Sequence, residues 1–210
     1  MMADASNGEF KGRRWHAALY EFLTKGDQKW LSRHRPYIIG EADGRVLEIG
    51  AGTGNNFPYY EKAREVMATE PDPFMLARAQ KHLDEMGPTN VELRQAAAED
   101  LPFDDGSFDH VVSALVLGTV RDPARALSEA RRVLKPGGTL RFIEHVRYDD
   151  GLRGRVQDVA APVWRYIGGG CHLNRRTDET IAEAGFEMLD LTRHKIAVPG
   201  PVLVGVARRT

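Results

Sequence analysis

Apolar runs of strand length alternate with amphipathic stretches of helical period along most of this chain, and few architectures accept that order. "RVLEIG" (45–50), "EVMATE" (65–70), "NVELRQA" (90–96), "FDHVVSALV" (108–116) and "TLRFIEHV" (139–146) read as strands. Between them, "DPFMLARAQKHLDEM" (72–86) reads as a helix with Phe74, Leu76, Leu83 and Met86 on its apolar side. "DPARALSEARRVL" (122–134) reads as another, stopped by Pro136, Gly137 and Gly138. In the first connection Asn55 and Asn56 offer a cap, and Pro58 a first turn, to a further helix. "RTDETIAEAG" (176–185) is a capped helix with a glycine stop, and "FEMLDLTRHKI" and "PVLVGVARR" pair as an antiparallel edge hairpin. Strands joined through helices require right-handed crossovers, so the chain is α/β: a doubly wound, mostly parallel sheet with an antiparallel C-terminal edge.

At 210 residues the sequence fits one domain able to bury its own core. A net charge of -1 gives no electrostatic case for nucleic acid or an anionic membrane. The single cysteine, Cys171, excludes a disulfide framework within the chain and suits a reducing compartment. The first residues carry no apolar targeting core, and no run reaches membrane-spanning length. These features lead us to expect a cytoplasmic protein with no stable membrane insertion.

Behind the first strand come Gly50, Gly52 and Gly54, with Glu48 inside the strand. Glycines clustered at a strand end mark a turn that approaches something closely, and a doubly wound sheet binds ligands beyond its strands' carboxyl ends. Dinucleotide binding wants Gly-x-Gly-x-x-Gly, but counting from Gly50 or Gly52 puts Asn55 or Phe57 at the third glycine. A carboxylate at Glu48 would also repel a pyrophosphate, whereas it would favour a cationic ligand. The turn suits a ligand carrying an amino group and a sulfonium.

"VLEIGAGTG" resembles motif I of the class I S-adenosylmethionine-dependent methyltransferases. "ATEPDPFML", "AEDLPFDDGSFDHVVSALVL" and "EARRVLKPGGTLRFIEHV" follow in the order of the type 11 subgroup, so four motifs stand in register over residues 45–146. "NNFPYY", "FIEHV", "QDVAAPVW" and "GGCHLNRRT" are similar to methyltransferase-like proteins of animal endoplasmic reticulum that methylate small thiols, and to their soluble bacterial relatives. The animal members' N-terminal membrane anchor is not matched here. The resemblance implies a Rossmann-like fold, an enzyme, and S-adenosylmethionine as its cofactor. It implies that Glu70, followed by Pro71, accepts both ribose hydroxyls, and that Met75 lies against the adenine. Gly50, Gly52 and Gly54 would let the backbone approach the cofactor, with Glu48 ordering the turn and facing its cationic end. Carbonyls of Ser113, Ala114 and Leu115 would hold the methionine amine. Ala97 stands where many type 11 members have the aspartate that reads the adenine, which leaves Ala98 and Glu99 to replace it through a backbone N–H and a carboxylate.

On the acceptor side, "EHV" puts Glu144 and His145 at the end of the fifth strand, and "QD" puts Asp158 on the helix that follows. His145 and Asp158 are the candidate proton acceptors; Cys171, His172, Asn174 and Arg175 are the remaining polar cluster. No pair there has zinc-ligand spacing, so no metal is expected. Residues 1–40, with Trp15, Tyr20, Phe22 and Trp30, read as a helical segment serving as a lid over a methyltransferase domain of residues 41–210. Aromatic lining would favour a lipophilic acceptor. A thiol fits best, since at a reference pKa of about 8.5 it supplies thiolate near neutrality, whereas a phenol near 10 needs a base. The alternatives are a small amine or phospholipid head group, or a cofactor-binding regulator without transfer.

Overall fold

A computed structural model of the chain describes residues 30–87, 89–149, 151–167, 170–195 and 200–210. Seven strands form one sheet: β1 (Gly44–Ile49), β2 (Ala63–Thr69), β3 (Val91–Arg94), β4 (Phe108–Ala114), β5 (Leu134–His145), β6 (Phe186–His194) and β7 (Val202–Arg209). Their order is β3-β2-β1-β4-β5-β7-β6. β1 to β5 pair in parallel, while β7 runs antiparallel to both β5 and β6. The expected sheet and edge hairpin are therefore present. Winding reverses between β1 and β4, which opens a crevice at their carboxyl ends.

Alternation along β1 explains the layers. Leu47 and Ile49 enter one core with Ala126, Leu127 and Ala130 of α3 (Pro123–Val133) and Ile181 of α5 (Thr177–Glu183). Val46 enters the other core with Ile38 of α1 (Arg35–Ile38) and with Ala79 and Leu83 of α2 (Pro73–Met86). Asp72 caps α2 by accepting from the Phe74 and Met75 amides at 2.7 and 3.3 Å, and Asp122 caps α3 by accepting from Arg125 at 3.0 Å.

Three local expectations are corrected. Phe74 and Met86 are 38% and 37% exposed, so α2 packs through small Ala79 and through Leu83. Pro136, Gly137 and Gly138 do not separate α3 from its strand: β5 begins at Leu134, directly after the helix, and absorbs them where its register on β4 shifts. Asn56 precedes a 3-10 turn (Phe57–Tyr59) and caps nothing with its side chain.

Residues 1–29, with Trp15, Tyr20 and Phe22, lie outside the described residues. From Trp30 on, Leu31, Ile38, Ile39 and Ala42 are buried on the sheet. Arg141 of β5 donates to the Tyr37 and Ile38 carbonyls at 2.7 and 2.6 Å, satisfying the end of α1. α4 (Gly151–Ile167) follows β5 and is held by Gln157, which donates to the Val146 and Leu173 carbonyls at 3.1 and 2.7 Å.

Candidate active site

Gly50, Gly52 and Gly54 all have positive φ, at 62°, 60° and 84°. The reasons differ. A β-carbon on Gly50 would fall 2.7 Å from the Val116 side chain, and one on Gly54 would enter the Phe57 ring. On Gly52 it would meet nothing within 4 Å. Gly50 and Gly54 are thus required by packing, while Gly52 lines open space at the crevice.

Two buried carboxylates hold this turn. Glu70 follows β2, and its two oxygens accept from the Gly52 and Asp72 amides, each at 2.9 Å. Each carboxylate oxygen has two lone pairs, so each retains one after these bonds. Burial raises the Glu70 pKa against those two hydrogen bonds. Glu48 accepts from Asn56 Nδ2 at 2.7 Å, and Asn56 Oδ1 accepts in turn from Arg35 Nε at 2.7 Å. Its Oε2 and the Tyr60 hydroxyl are both buried and face each other, so each bears on the other's ionisation. Burial lifts the Glu48 pKa to about 7.

At the end of β4, Leu115 adopts φ 63°, a left-handed conformation that a branched apolar residue avoids. What holds it there is a clamp. Its amide donates to Ile143 O at 2.7 Å. Glu144 Oε1 accepts from the Ser113 hydroxyl at 2.6 Å and from the Val116 and Leu117 amides at 2.9 and 3.0 Å. Arg175 donates to the carbonyls of Leu117 and Val120. Glu144 therefore lies under the loop after β4. Sequence reading placed Glu144 and Arg175 on the acceptor side and missed the clamp, as it missed Arg35; no local pattern announces a contact between segments so far apart.

Pro71 and Met75 are half-buried beside Glu70, and Ala98 is buried. The Glu99 carboxylate accepts from the Arg121 and Asp122 amides at 2.9 and 3.4 Å, so it is turned toward the start of α3.

His145 ends β5 and is buried, and burial lowers its pKa to about 4. The ring is neutral at physiological pH and a far weaker proton acceptor than its reference value of about 6.5 suggests. Val202 lies in register with both His145 and His194, so the two histidines share a face. Trp30, His34 and His194 cluster through tilted and edge-on rings, with centroids 4.2, 4.5 and 5.2 Å apart. Asp158 is half-exposed and receives Arg147 through several contacts, the shortest 2.8 Å, with Asn174 at 3.2 Å; Arg147 holds its pKa low. The structure brings Asp158, Asn174 and Arg147 together. It sends His172 elsewhere, its amide donating to Gly118 O at 2.8 Å. Among the described residues no cluster of three His, Cys, Asp or Glu could hold a metal, and no helix is long and apolar enough to cross a membrane.

The donor end fits S-adenosylmethionine on two observations: open space over Gly52 and the lone pairs that Glu70 retains. Comparison with known proteins agrees. Residues 47–142 match the family described as methyltransferase domain. The chain is 39% identical over 153 residues to thiol S-methyltransferase TMT1B of Rattus norvegicus, covering 70% of this chain and 61% of that protein. For the human protein of the same name the identity is 37% over 179 residues, covering 79% and 72%. It is 32% identical over 193 residues to phosphatidylethanolamine N-methyltransferase of Cereibacter sphaeroides, covering 91% and 92%. A solved structure described as a candidate methyltransferase of Bacillus halodurans superposes with a TM-score of 0.73 at 20% identity, covering 88% of this chain and all of that one. The [4+2]-cyclase SpnF superposes at 0.67 and 20% identity, covering 97% and 84%. Likeness at that level speaks for the fold alone.

Proposed function

The chain belongs to the class I S-adenosylmethionine-dependent methyltransferases, and on that premise we propose that it methylates a small, lipophilic thiol. The carrying observation is the weakness of the two candidate bases, His145 and Asp158. His145 has its pKa lowered to about 4, and Asp158 is tied to Arg147. An acceptor that ionises unaided suits such a site. A thiol does so near neutrality; an ammonium or a phenol does so less readily. The naming of TMT1B as a thiol S-methyltransferase supports the same reading.

S-adenosylmethionine, when bound, supplies an electrophilic methyl carbon on a sulfonium. In this reading Glu70 holds the ribose hydroxyls, with Pro71 and Met75 along the adenine side and the Ala98 amide near its edge. Gly52 lets the backbone come close, and Glu48 offsets positive charge. Carbonyls of Ser113, Ala114 and Leu115 hold the amine, on the loop that Glu144 and Arg175 keep rigid. Rate then comes largely from orientation, since in-line transfer needs aligned reactants and no covalent nucleophile. Trp30, His34 and His194 supply aromatic faces, and we keep residues 1–40 as a lid.

A second reading is N-methylation of an amine head group. The phosphatidylethanolamine N-methyltransferase supports it, because the likeness spans 92% of that protein against 61% of rat TMT1B. Incubation with methyl-labelled cofactor and a panel of thiols, amines and phenols decides. Label on thiols alone is expected; label on amines alone would replace the proposal, and label on none would favour a regulator.

A further inference from the structure

α4 buries Gly154, Gln157 and Ala161 and turns the opposite face outward. On that face Leu152, Val156, Val159 and Val163 are 77, 62, 82 and 66% exposed. Their spacing of four, three and four residues makes one continuous stripe along the helix. Single exposed apolar residues are ordinary on a protein surface, but an unbroken row of four branched ones marks a contact. The chain's net charge of -1 makes no case for an anionic surface, but the charge local to this stripe does. Arg153 and Arg155 lie one on each side of the stripe by helical position, and both are exposed, Arg153 with its guanidinium over the Tyr148 ring at 5.9 Å. The helix's one acid in its described residues, Asp158, is neutralised by Arg147 at 2.8 Å, and nearby Asp149 by Arg193 at 3.1 Å.

From this arrangement we propose that α4 lies on an anionic lipid surface, its leucine and valines entering the acyl boundary and its arginines meeting the head groups. Long arginine side chains suit that position because their stems lie along apolar matter while the guanidinium reaches out to phosphate. Such a helix rests on a membrane without crossing it. The proposal stands whichever acceptor is methylated; it places the enzyme where lipophilic acceptors concentrate.

Full-length protein, sedimented at low salt with phosphatidylcholine vesicles and with vesicles that also contain phosphatidylglycerol, tests it. Binding is expected to the anionic vesicles only. Arg153→Gln with Arg155→Gln should weaken it about fivefold per arginine. Val156→Asp with Val159→Asp should weaken it by about a hundredfold, since each valine gives up the burial of its side chain and gains a repelled charge. Melting temperatures and methylation of a soluble acceptor should not change, because all four side chains are exposed. Equal binding to both vesicles, or binding that survives the valine substitutions, would overturn the proposal. So would a lipid-free protein in which those substitutions abolish a dimer or lower the melting temperature by several degrees, for the stripe would then be covered already by protein.

Discussion

The donor end and the acceptor end of this crevice are built from different materials. At the donor end, buried carboxylates meet backbone amides: Glu70 takes Gly52 and Asp72, and Glu144 takes Val116 and Leu117. At the proposed acceptor end, arginine and acid meet at the surface, as Asp158 meets Arg147. Charge buried against fixed dipoles is expensive to move and holds a ligand in one pose. Solvated ion pairs are worth little and rearrange readily. A single donor and adaptable acceptors are what that contrast favours.

The sharpest test of the contrast is inside the glycine turn. Gly52→Ala should remove S-adenosylmethionine binding by calorimetry, because the added carbon takes space that only a ligand fills. Left-handed strain of about 1–2 kcal/mol should lower the melting temperature by only a few degrees. Gly54→Ala should unsettle the fold itself, since its β-carbon enters the Phe57 ring. If the two variants behaved alike, the turn would not be divided between packing and ligand.

Glu70→Ala comes next. It should weaken S-adenosylmethionine and its demethylated product alike by about 1.5–3 kcal/mol, the worth of hydrogen bonds to a charged group. Some stability should go with it, because the Gly52 and Asp72 amides lose their acceptor. Loss of stability with unchanged affinity would make Glu70 a brace alone.

These two ends were not equally legible in the sequence. Gly50, Gly52, Gly54 and Glu70 could be read because a tight turn of positive φ behind a strand demands particular residues at fixed spacing. The sheet could be read because its strands are continuous apolar runs. The chain Arg35–Asn56–Glu48 could not, because each member owes its role to a segment distant in sequence. Nor could the chemistry of His145: its residue type suggests a base near neutrality, and only burial lowers its pKa to about 4. Asn56 looked like a cap for the same reason, its side chain being drawn instead to Glu48.

Glu48 offers a graded test. Its pKa is raised by burial to about 7, so between its unfolded value near 4.3 and pH 7 the folded chain binds the extra proton. Stability must then fall as pH rises through that window, and the lost part stays lost above it. Glu48→Gln keeps the Asn56 contact without the charge, so the difference in melting temperature between variant and wild type should grow from pH 5 to pH 8. Affinity for the cationic cofactor should move the other way, strengthening in the wild type as Glu48 ionises and staying flat in the variant. Parallel profiles for both proteins would remove Glu48 from the donor end's electrostatics.

The smallest effect is expected at His145, and it bears most directly on the acceptor. A base with a pKa of about 4 can take little of the proton from a thiol near 8.5, so the ring's contribution should be to shape the pocket. His145→Ala should lower kcat/KM by about tenfold or less. With a thiol acceptor, wild type and variant should both gain activity as pH rises toward 8.5, since the thiolate forms in solution and no group on the protein needs to capture its proton. An inflection between pH 6 and 7, present in the wild type and absent from the variant, would mean that His145 regains an ordinary pKa once ligands bind and acts as the base. Asp158→Asn separates the remaining case. Its low pKa keeps Asp158 ionised across the same range, so its loss should leave the shape of the profile unchanged and show only as altered affinity for the acceptor. A profile that changes shape in Asp158→Asn would place a working base at the acceptor end, and the reason for preferring a thiol over an amine would go with it.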